Sequence, residues 1–170
     1  MGANGPELAI NFSERRGLRR QRVLLSGVIS KANGESASDC VIRDLNTRGA
    51  QIECSLQFPL GTQLYLLDTH NGVAYDATVV WTTATRVGLE FVRSYAMRSP
   101  LPRELTFLER LLLEAKLGQV NRLIGRGIPA KQAITTVGLT EDQLEQLSER
   151  AASDEKFELV IRQAKHLLNQ

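Results

Sequence analysis

The chain has 170 residues, 42% of them hydrophobic and 24% charged, with a formal net charge of +2 at pH 7. That balance excludes a disordered or fibrous chain, and no uninterrupted apolar run is long enough to cross a bilayer. Cys40 and Cys54 are the only cysteines and His70 and His166 the only histidines. Without CxxC spacing they offer no zinc site, so no metal is expected and the thiols read as small buried hydrophobes.

The first residues, "MGANGPELAINFSE", lack the basic start, apolar core and small-residue cleavage site of an export leader. The opening Met-Gly also lacks the Ser or Thr of a myristoylation signal. A flexible segment over 1–13 and a cytoplasmic location are the expectations. "ERRGLRRQRV" follows, packing Arg15, Arg16, Arg19, Arg20 and Arg22 into ten residues. Such a cluster can be a solvated tail that attracts polyanions. Its spacing offers more, because Arg16 and Arg20, and again Arg15 and Arg19, stand four residues apart and can converge on one compact ligand. A guanidinium forks two hydrogen bonds to a phosphate or to the O6 and N7 edge of guanine, and its flat face stacks on a base.

From Val23 to Val92 the pattern predicts strands. "RVLLSGVIS", "SDCVIRDL", "GAQIECSL", "TQLYLLD", "VAYDATVVW" and "RVGLEFV" are short and rich in β-branched and aromatic residues, with turn formers between them. In "AQIECSL", Ala50, Ile52, Cys54 and Leu56 alternate with polar residues, giving one dry face. Six such strands without intervening helices predict a small antiparallel barrel or sandwich. At the second turn, "RDLNTRG" holds Asp44, Asn46 and Gly49. Asp44 can accept from the Watson–Crick edge of guanine, Asn46 can donate and accept, and Gly49 permits a backbone conformation or a close ligand approach that a Cβ would block. A β-turn that favours Asp, Asn and Gly accounts for the same letters. Arg48 reads as an exposed turn residue.

"RSYAMRSPLP", with Pro100 and Pro102, predicts a linker over 96–102. Beyond it the period becomes helical over 103–170, with about four helices. Leu105, Leu108, Leu112 and Ala115 step by three or four, Leu111 and Leu113 widen the apolar arc, and "GRG" at 125–127 ends the run. Pro129 opens a short helix through Val137, Thr140 and Gln143 have capping-box spacing, and Ser153 starts a last helix. "IPAKQAITTVGLTEDQLEQL" has the outline of a helix-turn-helix. Its second helix carries Glu141, Asp142, Glu145 and Glu149, which DNA phosphates would repel. A bundle that contacts the barrel, a second copy or a partner protein fits the charges better, and the breadth of the apolar face in "LTFLERLLLEAKLG" points to self-association.

The two polar stretches together resemble the PilZ family. The likeness runs from about Glu14 to Val92: "RRGLRRQRV" matches its RxxxR element, with Arg16 and Arg20 in register, and "DLNTRG" matches its [D/N]xSxxG element. "ATVVW…VGLEFV" is similar to the close of a PilZ barrel. The resemblance implies a six-stranded antiparallel β-barrel, here over 14–95, that binds the bacterial second messenger cyclic di-GMP without turning it over. By the same resemblance Arg16 and Arg20 hold its phosphates and guanines, Arg15 and Arg19 assist or supply an alternative register, and Asp44, Asn46 and Gly49 grip a guanine. Asn46 departs from the family's usual Ser. No further cofactor is implied. Two other readings stand beside the receptor: a degenerate PilZ domain acting through protein contacts alone, and a DNA-binding regulator. An enzyme would need a nucleophile–base pair, a carboxylate pair or a metal cluster, and the sequence offers none.

Overall fold

A computed structural model of the chain describes residues 21–170, apart from Asn33, Ala152 and Ser153. The arginine segment over 14–20 lies outside the described residues. Six strands, β1 (Gln21–Ser30), β2 (Ser38–Leu45), β3 (Gly49–Glu53), β4 (Gln63–Asp68), β5 (Val73–Thr82) and β6 (Arg86–Ala96), precede a 3₁₀ turn at Arg103–Leu105 and four helices. These are α1 (Thr106–Gly125), α2 (Ala130–Val137), α3 (Glu141–Arg150) and α4 (Glu155–Leu168). All strand pairs are antiparallel, and the order β1-β2-β3-β6-β5-β4 closes into a barrel through the β1–β4 pair.

Alternation fills the barrel. Ile29, Ile42, Ala50, Ile52, Leu64, Leu66, Ala77, Val79, Val87 and Leu89 point inward and are almost wholly buried. β3 ends at Glu53, so the dry face expected through Leu56 stops two residues after Ala50; Cys54 and Leu56 pack on the core from the loop beyond. Both cysteines are free thiols, Cys40 buried and Cys54 half-buried. Burial pushes both thiols above their ordinary range.

The wide apolar arc of α1 has two clients. Leu105, Leu108 and Leu111 pack with Val28, Leu67 and Ala74 on the outer wall of β1, β4 and β5. Leu113, Leu117 and Val120 face the other way and form a second core with Ala133, Ile134, Leu144, Phe157 and Ile161 of the remaining helices. The breadth that pointed to self-association is thus used within the chain. Met97 and Leu101, from the proline-containing connection, also pack against the barrel–α1 cluster.

Local chemistry sets the helix ends. Gly138 stops α2 at φ 77°, and Thr140 and Gln143 complete the capping box of α3. α4 begins one residue later than the sequence indicated: Asp154 caps it, its carboxylate accepting from the Lys156 and Phe157 amides, and the expected cap Ser153 lies outside the described residues. An Asp acceptor adds charge at the positive end of the helix dipole.

Candidate functional site on the outer barrel wall

Two β-bulges decide what faces outward. On β2, Ile42 pairs with Ile52 and Asp44 with Gln51, so Arg43 is the extra residue. Strict alternation would send Asp44 inward behind Ile42; the bulge turns both Arg43 and Asp44 to the outside. Arg43 then forms an ion pair with Glu53 at 2.7 Å. On β5, Val79 pairs with Leu89 and Trp81 with Gly88, leaving Val80 extra and bringing Trp81 to the outer wall.

The registers align one row of residues across this wall: Arg22 with Asp44, Asp44 with Gln51, Gln51 with Gly88, and Gly88 with Trp81. A Cβ at Gly88 would collide with the indole of Trp81, so the ring lies over the bare backbone at that point. With its amide turned to satisfy its neighbours, Gln51 donates to Asp44 Oδ2 at 2.6 Å and accepts from the Arg86 guanidinium at 2.8 Å. A carboxylate, an amide, a guanidinium and a flat indole are therefore contiguous on one face. The sequence reading missed Gln51, Arg86 and Trp81. The one signal available was the chain's single tryptophan, placed to cover a cross-strand glycine.

Asn46 and Gly49 build the turn. The Asn46 Oδ1 accepts from the amides of Arg48 at 2.8 Å and Gly49 at 2.9 Å, and the Asn46 amide donates to the Gly49 carbonyl at 3.0 Å. This is an Asx-turn, and a serine hydroxyl performs the same closure more weakly. Asn for Ser therefore keeps the geometry of the junction. Gly49 has no positive φ. A Cβ there would instead collide with the Leu89 carbonyl on β6, so the glycine serves close strand approach within the barrel. Arg48 is exposed. Of the seven residues expected to bind ligand, Asp44, Asn46 and Gly49 lie together at the β2–β3 junction; Arg15, Arg16, Arg19 and Arg20 lie outside the described residues.

Residues 14–107 match the family model described as the PilZ domain, which is more than half of the chain. The chain belongs to the PilZ domain family. PilZ domains are generally non-catalytic binding domains, and the family is one of cyclic di-GMP receptors and adaptors. Among solved structures, the PilZ domain of CeSA from a cellulose synthesizing bacterium is similar at 19% identity and a TM-score of 0.38, covering 57% of this chain and 97% of that one. No curated protein matches. Within this PilZ protein no described helix is long and apolar enough to cross a membrane. No group of three or more His, Cys, Asp or Glu among the described residues could hold a metal ion.

Proposed function

We propose that the chain is a non-catalytic cyclic di-GMP receptor of the cytoplasm that acts as an adaptor, its arginine segment becoming ordered over the outer barrel wall when ligand binds. The observation that carries this reading is the register at the start of β1. Gln21 pairs with Leu45 and Arg22 with Asp44, so the first described residues after the arginine stretch lie directly beside the Asp44 row. In this reading Arg16 and Arg20 fork onto phosphate oxygens and guanine edges, Arg15 and Arg19 add charge, and Asp44 accepts from a guanine. Trp81 and Arg86 offer a flat face and a further cation on the same wall. Asn46 and Gly49 contribute by fixing the turn that aims β2. The helical region then passes the change to a partner protein or a second subunit.

Isothermal titration with cyclic di-GMP, using GTP and cyclic di-AMP as controls, tests the reading. Saturable heat with cyclic di-GMP alone is expected. Arg16→Ala or Arg20→Ala should each remove about 1.5–3 kcal/mol of binding, and lysine should restore little because a point charge neither forks nor stacks. Absence of heat and of any thermal shift would leave a PilZ barrel working through protein contacts alone.

A further inference from the structure

A cavity of about 410 Å³ opens on the other side of the molecule, where the β4–β5 turn, the segment after β6 and helices α1 and α3 meet. That volume lies within the usual range for small-ligand pockets. Arg98, Lys116 and Arg150 line it, and Glu109 is the one carboxylate among the described lining residues. Arg150 is committed to Glu109, an ion pair that forms part of the wall. Neither Arg98 nor Lys116 has an ion-pair partner among the described residues.

The walls are firm. Asp68, wholly buried, accepts from the amides of His70 and Asn71 at 3.0 Å each and so holds the β4–β5 turn. Thr69 on that turn donates to the Ser26 carbonyl at 2.8 Å and accepts from Gln119 of α1 at 3.3 Å. Leu112 and Leu147 supply apolar lining beside the cations. Burial, and then the nearby Arg98 charge, pull Lys116 below the ordinary lysine range. Two like charges lining one low-dielectric cleft raise its affinity for an anion of matching charge. A phosphate monoester carries about −1.5 to −2 at pH 7 and three acceptor oxygens, which answers two unpaired cations.

We propose that this cavity is a second ligand site, taking a small phosphomonoester whose phosphoryl group sits between Arg98 and Lys116 and whose apolar body lies against Leu112 and Leu147.

The test is thermal unfolding of the full chain at constant ionic strength with phenyl phosphate, inorganic phosphate or succinate. Phenyl phosphate is expected to raise the melting temperature most, by roughly 5–10 °C at a concentration about 100 times its Kd. Inorganic phosphate should do less for want of the apolar body, and succinate less again. Lys116→Gln and Arg98→Gln should abolish the rise, whereas Lys156→Gln, on the exposed side of α4, should keep it. Amide shifts in the wild-type spectrum should centre on Gly72 and Gly138, which gives a readout even where a variant folds poorly. An equal rise in Lys116→Gln, shifts mapping elsewhere, or succinate matching phenyl phosphate would overturn the assignment. No arm uses cyclic di-GMP, so the result is independent of events on the other wall.

Discussion

The Glu109–Arg150 pair allows a prediction whose size and pH dependence both follow from geometry. Glu109 is 3% exposed, and its Oε1 accepts from the Arg150 guanidinium, whose side chain is 37% exposed. The other carboxylate oxygen has no hydrogen-bond partner among the described residues. Removing one partner of a buried pair costs roughly 3–5 kcal/mol because the remaining charge is stranded. Arg150 is partly in water and its charge is screened, which sets Arg150→Ala at the lower end, about 3 kcal/mol. For a chain of this size that corresponds to a fall in melting temperature of roughly 6–12 °C.

Burial already raises the Glu109 carboxyl above its ordinary value, against the opposing pull of Arg150. A carboxyl that binds its proton more tightly when folded makes stability fall as pH rises through the interval between its unfolded and folded values. Arg150→Ala removes the lowering influence of its guanidinium, so that interval widens upward from about pH 4.5, the carboxyl's ordinary value. The deficit of the variant should therefore be largest at neutral pH and shrink as pH falls towards 4.5. Adding Glu109→Gln should recover most of it at pH 7, since no buried charge remains. Urea unfolding followed by circular dichroism at pH 5 and pH 7 reads both effects. A deficit equal at the two pH values, or no recovery in the double variant, would refute the reasoning.

The other expectations concern the barrel. Asn46→Ala should cost about 1 kcal/mol in urea unfolding by stranding the Arg48 and Gly49 amides, whereas Asn46→Ser should retain the turn and leave cyclic di-GMP affinity within about threefold by titration. Gly88→Ala should displace Trp81 into water; red-shifted emission from the chain's single tryptophan would report it, and unchanged emission would contradict the packing. Truncation to residues 1–100 uncovers Val28, Leu67 and Ala74, which α1 otherwise covers, so the fragment should aggregate more than the full chain in light scattering at equal concentration.

Strand and helix positions were legible because alternation, turn residues and capping chemistry act locally. The Thr140–Gln143 box and the Gly138 stop are local chemistry of that kind. Orientation at the site was not legible, because it depends on one extra residue per strand. Read with a period of two, "VIRDL" points Asp44 inward and "ATVVW" points Trp81 inward after Ala77 and Val79. Only the partner strands reveal Arg43 and Val80 as bulges. Gly49 was readable as a position that needs glycine, but the obstacle the fold itself places there, a carbonyl on β6 some 40 positions away, was not. Glu109 was hidden in an apolar run and is explained only by Arg150, 41 residues downstream.

The placement of the helices bears on how a ligand on this barrel could be sensed. α1 covers β1, β4 and β5, while the Asp44 row runs across β2, β3, β6 and the far end of β5. The two walls face different directions, so direct contact between ligand and helices is not required by the fold. They share β1. Its first residues pair with Leu45 and Asp44, its Ser26 carbonyl takes the Thr69 hydroxyl that is bonded to Gln119 of α1, and its Val28 packs beneath Leu108. A ligand moves an equilibrium only by binding its two states unequally. A shift in the register or twist of β1 is the change both walls would feel, whereas the connection after β6 reaches only the α1-covered wall, through Met97 and Leu101. Reciprocity then fixes the sign of the test: whatever factor ligand contributes to the seating of α1, loosening α1 must subtract from ligand affinity by the same factor.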